Sequence, residues 1–286
     1  MTIYPFKIPL PFFPHELTGY GLMMMVAFLM GGWLVTLELR RRRLSEDYSA
    51  DMVAAAVIGG VIGAKLWYVA LMRDPGALFA RGGFVWYGGF LGGTAAVILN
   101  GWRLRVPLRW TMQLIAPALA ASYALGRVGC FLVNDDYGRP TSVPWAVKFP
   151  QGLPPSTAGN MHAMFGIPIP PGVSPSTVLA VHPTQLYETG LMLAAFAVLW
   201  AWRARPRPVG WLFGLYLIFA GTERFLVEIL RAKDDRLIAG TFTLAQLTSV
   251  ILVAVGVWVL NAWKGSPEPS PGNYLMGGKE AALSKS

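Results

Sequence analysis

Charged and polar side chains stand at the ends of several strongly apolar stretches of this chain. The segment "GRVGCFLVNDDYGRP", residues 126–140, places Arg127, Asp135 and Asp136 directly beside the apolar runs "YALG" and "CFLV". Two further polar clusters are "VHPTQLYE", residues 181–188, and "GTERFLVEILR", residues 221–231. Arginines and carboxylates in apolar surroundings can bind an anion and stabilise negative charge that develops during a reaction.

Helical spacing groups these side chains on common faces. Gln185 and Glu188 are three residues apart, Arg224 and Glu228 are four apart, and Arg231 follows Glu228 by three. Residues three or four apart are neighbours on a helix surface. Each cluster is therefore predicted to present one polar face.

An ionisable residue within a membrane helix costs at least about 2.5 kcal/mol and persists where it faces a partner or a wet cavity. Lys65 interrupts the apolar run "MVAAAVIGGVIGAKLWYVALM". Simpler explanations exist: snorkelling for Lys65, anchoring of a helix end for Arg127, intrahelical pairing for Arg224 and Glu228, and a structural role for His182. The grouping of these residues with one another favours a common polar site.

The composition predicts an all-α, polytopic integral membrane protein. Apolar residues make up 54% of the 286 residues and charged residues only 14%, against about 25% charged in soluble domains. The net charge is +9, and the basic residues lie in short clusters between apolar runs. This distribution argues against nucleic-acid binding. Cys130 is the single cysteine, so no internal disulfide can form, and the first residues lack the features of a cleaved signal peptide.

Seven apolar stretches are each about long enough to cross a bilayer, which needs about 20 residues. They give about seven transmembrane helices, roughly at 18–38, 51–72, 84–100, 111–133, 183–202, 209–230 and 242–263.

The basic residues predict the orientation of these helices. Loops after the first, third, fifth and seventh stretches hold 13 basic residues, and the other side holds eight. Two of those eight lie in one long loop, and basic residues in long loops have little influence on orientation. The N-terminus is therefore expected outside and the C-terminus inside. We expect one transmembrane domain over 1–264, with an irregular outer cap at 139–181 that includes a short strand pair at "WAVKF", and a disordered cytoplasmic tail over 265–286.

With this orientation the polar groups lie at similar depth, toward the outer face. The expected cavity contains the cations Lys65, Arg127 and Arg224, together with the phenols of Tyr20 and Tyr87. An anion with an apolar body, such as a phospholipid, fits that chemistry. The sequence has no Walker loop, zinc-ligand spacing, GxSxG or HExxH motif, so no metal and no cofactor are predicted.

Several motifs together resemble the bacterial prolipoprotein diacylglyceryl transferases. They are "HPTQLYE", "RFLVE" followed by "LAQLTS", "YGLM", "IGAKLWYV" and the frame "GRxGxF…G", and the resemblance covers roughly residues 15–262. It implies a seven-helix enzyme of the bacterial inner membrane with its active site toward the periplasm. That family transfers the diacylglyceryl group of phosphatidylglycerol to the lipobox cysteine of a preprolipoprotein, forming a thioether and releasing glycerol phosphate.

The resemblance also implies roles for individual residues. Arg127 and Arg224 would hold the phosphate and stabilise the departing group, with Lys65 and Arg139 assisting. Further contacts to the phospholipid are expected from Tyr20, Gln185, Tyr187 and Glu188, and Glu228 would orient the arginines and tyrosines.

This chain departs from the family pattern at four positions. Cys130 and Val133 stand where the family has asparagine, Asp135 where it has glutamate, and Tyr87 where it has a histidine that is a candidate base. The base is left open among Tyr87, His182 and Asp135. Two other functions also stay open: a lipid hydrolase or a different transferase that uses Cys130, and a lipid-binding or lipid-transport paralogue without transferase activity.

Overall fold

The computed structural model describes residues 1–9, 16–79, 83–169, 171–232, 236–238 and 242–277, with only the backbone given for 236–238. The described part contains eight α-helices. They are α1 (Gly19–Arg41), α2 (Asp47–Met72), α3 (Trp86–Arg103), α4 (Leu108–Leu132), α5 (Ala158–Phe165), α6 (Thr184–Trp202), α7 (Trp211–Glu228) and α8 (Leu244–Ala262).

Six short strands form three antiparallel pairs in the described residues. The pairs are β1 (Lys7–Pro9) with β2 (Glu16–Thr18), β3 (Val147–Lys148) with β4 (Ala180–Val181), and β5 (Arg236–Ile238) with β6 (Phe242–Thr243). The strand expected in "WAVKF" is β3, and its partner lies at the far end of the same loop.

The seven predicted stretches coincide with the seven long helices, and their ends differ by at most four residues. Within the described residues, α1, α2, α4 and α8 have both the length and the apolar composition of a membrane span. The last turns of α7 carry Glu223, Arg224 and Glu228, which interrupt its apolar sequence. The protein is therefore a helical protein with membrane-spanning segments, and the count of seven spans and the orientation stay predictions.

Among the described residues the chain forms two compact units. The first comprises residues within Met1–Met30, Leu119–Pro206 and Trp211–Lys264, and the second comprises residues within Gly31–Ala118, Arg207–Gly210 and Gly265–Ser286.

Glycines hold α2 and α3 together in the second unit. A Cβ atom on Gly63 would meet the backbone oxygen of Gly88, and one on Gly59 would meet backbone atoms of Gly92. Both helices repeat glycine at a spacing of four residues, the pattern that lets membrane helices approach backbone to backbone. The glycines of "GGFVWYGGFLGG" within α3 thus serve close packing.

The polar tail differs from the predicted disorder over residues 265–277. Leu275 is fully buried, and its carbonyl oxygen accepts a hydrogen bond from the backbone of Ser45. The Tyr274 hydroxyl donates to Asp51, and the Trp110 indole donates to the carbonyl oxygen of Pro269 at 2.8 Å. An apolar anchor and an aromatic residue therefore order a segment whose composition is otherwise typical of a linker. Residues 278–286 lie outside the described residues.

An aromatic cluster forms the core of the cap in the first unit. The rings of Tyr137 and Phe149 stack with centroids 5.4 Å apart, and Met161 of α5 and Val181 of β4 are buried beside them. The Tyr137 hydroxyl donates to the carbonyl oxygen of Pro154 at 2.5 Å, which satisfies its polar group within this core. Loop 139–181 is thus packed against the segment that follows α4.

The turn after α4 places the carboxylate of Asp136 against Arg127 of that helix. Asn134 and Asp136 both have left-handed backbone conformations, with φ of 61° and 62°. Asparagine and aspartate tolerate this region better than other non-glycine residues. The buried Asn134 amide donates to the carbonyl oxygen of Ile3 at 3.0 Å, which fixes the turn.

We predict that Gly63→Ala destabilises the protein by about 1–3 kcal/mol, because the new methyl group would have to separate two packed backbones. Gly190→Ala in α6 is the matched control, since a Cβ atom there has no neighbour within 4 Å and alanine favours a helix. Thermal unfolding in one detergent compares the two variants. A midpoint for Gly63→Ala equal to that of Gly190→Ala would contradict the packing described.

Candidate functional site

Glu188 of α6 is the centre of a buried ion cluster in the first unit. Its side chain is fully buried. The Nε atom of Arg127 contacts Glu188 Oε2, and the Tyr123 hydroxyl donates to the same oxygen at 3.1 Å. The second oxygen, Oε1, lies 3.7 Å from Nη1 of Arg224 and 3.6 Å from Nη1 of Arg231. One carboxylate therefore gathers three guanidinium groups.

Two further carboxylates complete the cluster. Asp136 accepts from Nη1 of Arg127 at 3.0 Å and is bound through its other oxygen by Nη2 of Arg231. Glu228 lies 2.6 Å from Nη2 of Arg224 and 3.8 Å from Nε of Arg231. Three guanidinium charges thus face three carboxylates, which is the condition under which buried charges are tolerated.

Local sequence explains how the cluster is assembled. Arg224 and Glu228 are one helical turn apart on α7, and Tyr123 and Arg127 have the same spacing on α4. The start of α6 fixes the turn after α4: Gln185 donates to the carbonyl oxygen of Asp135 at 2.5 Å, and the neighbouring Thr184 hydroxyl donates to that of Asp136 at 2.9 Å.

Some guanidinium N–H groups remain without an acceptor. Nη2 of Arg127 and Nη1 of Arg224 are shielded from solvent and have no hydrogen-bond partner within the described residues. Buried donors of this kind bind an additional oxygen acceptor strongly when one is supplied. The oxygens of a phosphate match them in charge and geometry.

Cys130 lies beside this cluster. Its sulfur is 3.5 Å from Nη1 of Arg127, one turn earlier on α4. The sequence left open whether this thiol is a nucleophile. In the structure the thiol contacts Arg127, which also binds Asp136, so Cys130 stays a candidate by position.

His182 belongs to a separate hydrogen-bonded group at the start of α6. The Trp145 indole donates to the Tyr187 hydroxyl oxygen at 2.6 Å, and that hydroxyl is 3.1 Å from Nδ1 of His182. Burial lowers the pKa of His182, which favours the neutral imidazole. The Tyr187 hydroxyl thus bridges the Trp145 indole and the imidazole of His182.

The structure brings four of the predicted site residues, Arg127, Glu188, Arg224 and Glu228, into one cluster, and others have specific local contacts. Arg139 donates from Nε to the carbonyl oxygen of Arg231 at 3.2 Å. The ring of Tyr20 lies against Gly129 of α4. The carboxylate of Asp135 accepts from the backbone N–H of Asp136 at 2.7 Å. Burial, followed by the negative charge of Asp136, raises the pKa of Asp135.

Lys65 and Tyr87 belong to the second unit. The ammonium of Lys65 lies over the rings of Tyr68 and Phe84, 5.5 Å and 5.2 Å from their centroids. The half-exposed ring of Tyr87 meets that of Trp86 edge-on. Their participation in the site stays a prediction.

Tyr123 and Glu223 were not among the predicted site residues, and Asp136 and Arg231 were recognised in the polar clusters without an assigned role. Tyr123 precedes Arg127 by one helical turn, so its spacing could have revealed it. Asp136 could not be separated from Asp135 by sequence, because the left-handed turn decides which carboxylate reaches Arg127. Glu223, beside Arg224, could have been recognised because it is an ionisable residue within an apolar stretch.

Comparisons with known proteins agree with these features. The family model described as prolipoprotein diacylglyceryl transferase matches residues 7–262. The chain belongs to the prolipoprotein diacylglyceryl transferase family.

Curated relatives extend over nearly the whole chain. The phosphatidylglycerol–prolipoprotein diacylglyceryl transferase of Nitratidesulfovibrio vulgaris (strain Miyazaki F) is 31% identical over 89% of this chain and 92% of its own length. Proteins of the same name from Clostridium tetani and Bordetella avium are 30% and 31% identical, over 87% and 90% of this chain and 94% of their own lengths. Membership of this family makes the protein a transferase and an integral membrane protein.

We predict that Glu188→Ala destabilises this family member by about 3–5 kcal/mol, because three buried guanidinium groups lose a shared partner. Glu16→Ala is the matched control. Glu16 pairs with Lys7 at 3.0 Å, with both side chains about half exposed, and such pairs contribute about 1 kcal/mol or less. Thermal unfolding of both variants measures the difference. Equal midpoints would show that Glu188 does not hold the cluster together.

Proposed function

We propose that this protein transfers the diacylglyceryl group of phosphatidylglycerol to the thiol of the lipobox cysteine in a preprolipoprotein. The names of its relatives give phosphatidylglycerol and prolipoprotein as substrates. The observation that carries the proposal is the buried cluster in which Arg127 and Arg224 retain guanidinium N–H groups without an acceptor. Phosphatidylglycerol has one phosphate and an apolar body. The phosphate matches the arginines, and the apolar body matches the apolar helices at whose ends these arginines lie.

The arginines hold the phosphate and stabilise the transition state. The sulfur of the substrate cysteine attacks the glyceryl carbon that bears the phosphate, so a carbon–sulfur bond forms as a carbon–oxygen bond breaks. The electron pair of the broken bond stays on the phosphate oxygen, and glycerol phosphate leaves with additional negative charge. Arg127 and Arg224 are oriented before the reaction by Glu188, Asp136 and Glu228, which is the arrangement that electrostatic catalysis requires.

The cluster could also be assisted by groups around it. Gln185 and Tyr187 belong to the same helix start as Glu188, and Arg139 contacts the backbone of Arg231. Lys65 and Tyr20 are proposed as further contacts to the phospholipid. The proton acceptor that the sequence left open among Tyr87, His182 and Asp135 is considered below.

The protein would span the bacterial inner membrane several times, with its site toward the periplasm. Clusters of arginine and lysine in alternate loops support seven spans with the C-terminus inside. In that orientation the cap formed by loop 139–181 lies outside, where it covers the site or receives the lipobox peptide. The two substrates are a membrane lipid and a membrane-bound peptide, so both can reach the site from within the bilayer.

We predict that Arg127→Ala lowers transfer by about 100-fold or more, because a donor to developing charge is lost. Purified protein would be incubated with phosphatidylglycerol vesicles and a lipobox peptide, and mass spectrometry would detect the diacylglyceryl thioether and glycerol phosphate. Arg40→Ala is the control, since Arg40 forms an exposed pair with Glu46. Turnover by Arg127→Ala equal to that of wild type would refute the role of Arg127.

The same assay tests the remaining candidates. Cys130 is considered because its sulfur lies 3.5 Å from Nη1 of Arg127. A nucleophilic Cys130 would make Cys130→Ser inactive, whereas transfer to the peptide thiol predicts that Cys130→Ser keeps most of its activity. A lipid-binding or transport protein would yield neither the thioether nor glycerol phosphate from the wild type.

A further inference from the structure

Glu223 is a buried carboxyl group that has no assigned role in the cluster. It lies on α7 next to Arg224 and is only 5% exposed. Within the described part of the chain it forms no hydrogen bond and no ion pair, and its Oε1 atom is completely shielded. A buried polar group without a partner costs free energy, so a carboxyl group in this state is typical of functional sites.

The surroundings of Glu223 connect it to the arginine cluster. Arg127 of α4, Glu188 of α6 and Arg224 of α7 all interact with it electrostatically, and so does Arg231. Two phenols also interact with it electrostatically, Tyr123 of α4 and Tyr216 of α7. The partner helix α8 carries no charged residue.

Charge balance sets Glu223 apart from the other carboxylates. Asp136, Glu188 and Glu228 each contact guanidinium groups and together balance three arginines. Each of them would have to lose an ion pair in order to accept a proton. Glu223 can accept one without breaking any contact, and its protonation brings the cluster from one excess negative charge to neutrality.

The other candidate acceptors of the first unit each have one polar atom in a hydrogen bond. Nδ1 of His182 is occupied by the Tyr187 hydroxyl. The Oδ1 atom of Asp135 accepts the backbone N–H of Asp136. Among these groups Glu223 alone combines burial, proximity to the arginines and an oxygen without a partner.

We propose that Glu223 is the proton acceptor for the thiol of the substrate cysteine, an assignment that rests on the proposed function. The carboxylate takes the proton from sulfur, the sulfur attacks the glyceryl carbon, and the electron pair of the broken carbon–oxygen bond goes to the phosphate. Neutral Glu223 then adds no repulsion to the doubly charged glycerol phosphate. The proton returns to water when that product leaves.

The test compares Glu223→Gln with wild type in the peptide transfer assay at several pH values. Glutamine keeps the size and polarity of the side chain but cannot accept the proton. We expect kcat to fall by about 100-fold or more near neutral pH, with little change in KM for phosphatidylglycerol. The deficit should shrink as pH rises past about 8.5, where a cysteine thiol ionises by itself.

Two further measurements separate chemistry from structure. A peptide with selenocysteine in place of cysteine needs no proton acceptor, because a selenol is already ionised at neutral pH, so it should restore turnover to Glu223→Gln. Glu223→Asp should recover part of the activity, and Glu46→Gln, at an exposed ion pair, should behave as wild type.

The outcomes distinguish the two proposals. If wild type forms no thioether, the proposed function fails. If wild type is active and Glu223→Gln matches it in kcat and pH profile, the assignment of Glu223 is overturned while the proposed function stands. A deficit in Glu223→Gln that is the same at all pH values and with selenocysteine would likewise overturn it.

Discussion

The contact between Glu188 and its three arginines is the constraint on which the rest of the first unit depends. Charges removed from water are stable only with partners, so α4, α6 and α7 must meet in one register. Glu188 supplies the common partner at full burial. The left-handed turn that brings Asp136 to Arg127 and Arg231 satisfies the same requirement from the other side.

This arrangement gives the cluster two properties at once. The carboxylates hold the guanidinium planes in place, and they leave selected N–H groups of Arg127 and Arg224 without acceptors. A phosphate that binds there finds donors already oriented, which reduces the reorganisation that a flexible site would need. Three carboxylates already balance the charge of the three arginines. The fourth, Glu223, is not needed for that balance and is therefore proposed to transfer the proton.

The sequence predicted much of the fold because apolar length and helical spacing are local properties. All seven long helices and the grouping of Arg224 with Glu228 follow from them. What it could not predict depends on tertiary contacts: the ordering of residues 265–277 by the buried Leu275, and the choice of Asp136 over Asp135. The partner of β3 lies more than 30 residues away, so no local pattern could identify it.

The binding of phosphatidylglycerol by the cluster is tested most directly by the affinity of a short-chain phosphatidylglycerol, measured by native mass spectrometry on wild type and Arg127→Ala. A charged hydrogen bond contributes about 1.5–3 kcal/mol, so loss of Arg127 should raise Kd by about 10- to 100-fold. A short-chain diacylglycerol, which lacks the phosphate, should bind both proteins alike. Equal affinity of the two proteins for phosphatidylglycerol would contradict the assignment of the cluster as the phosphate site.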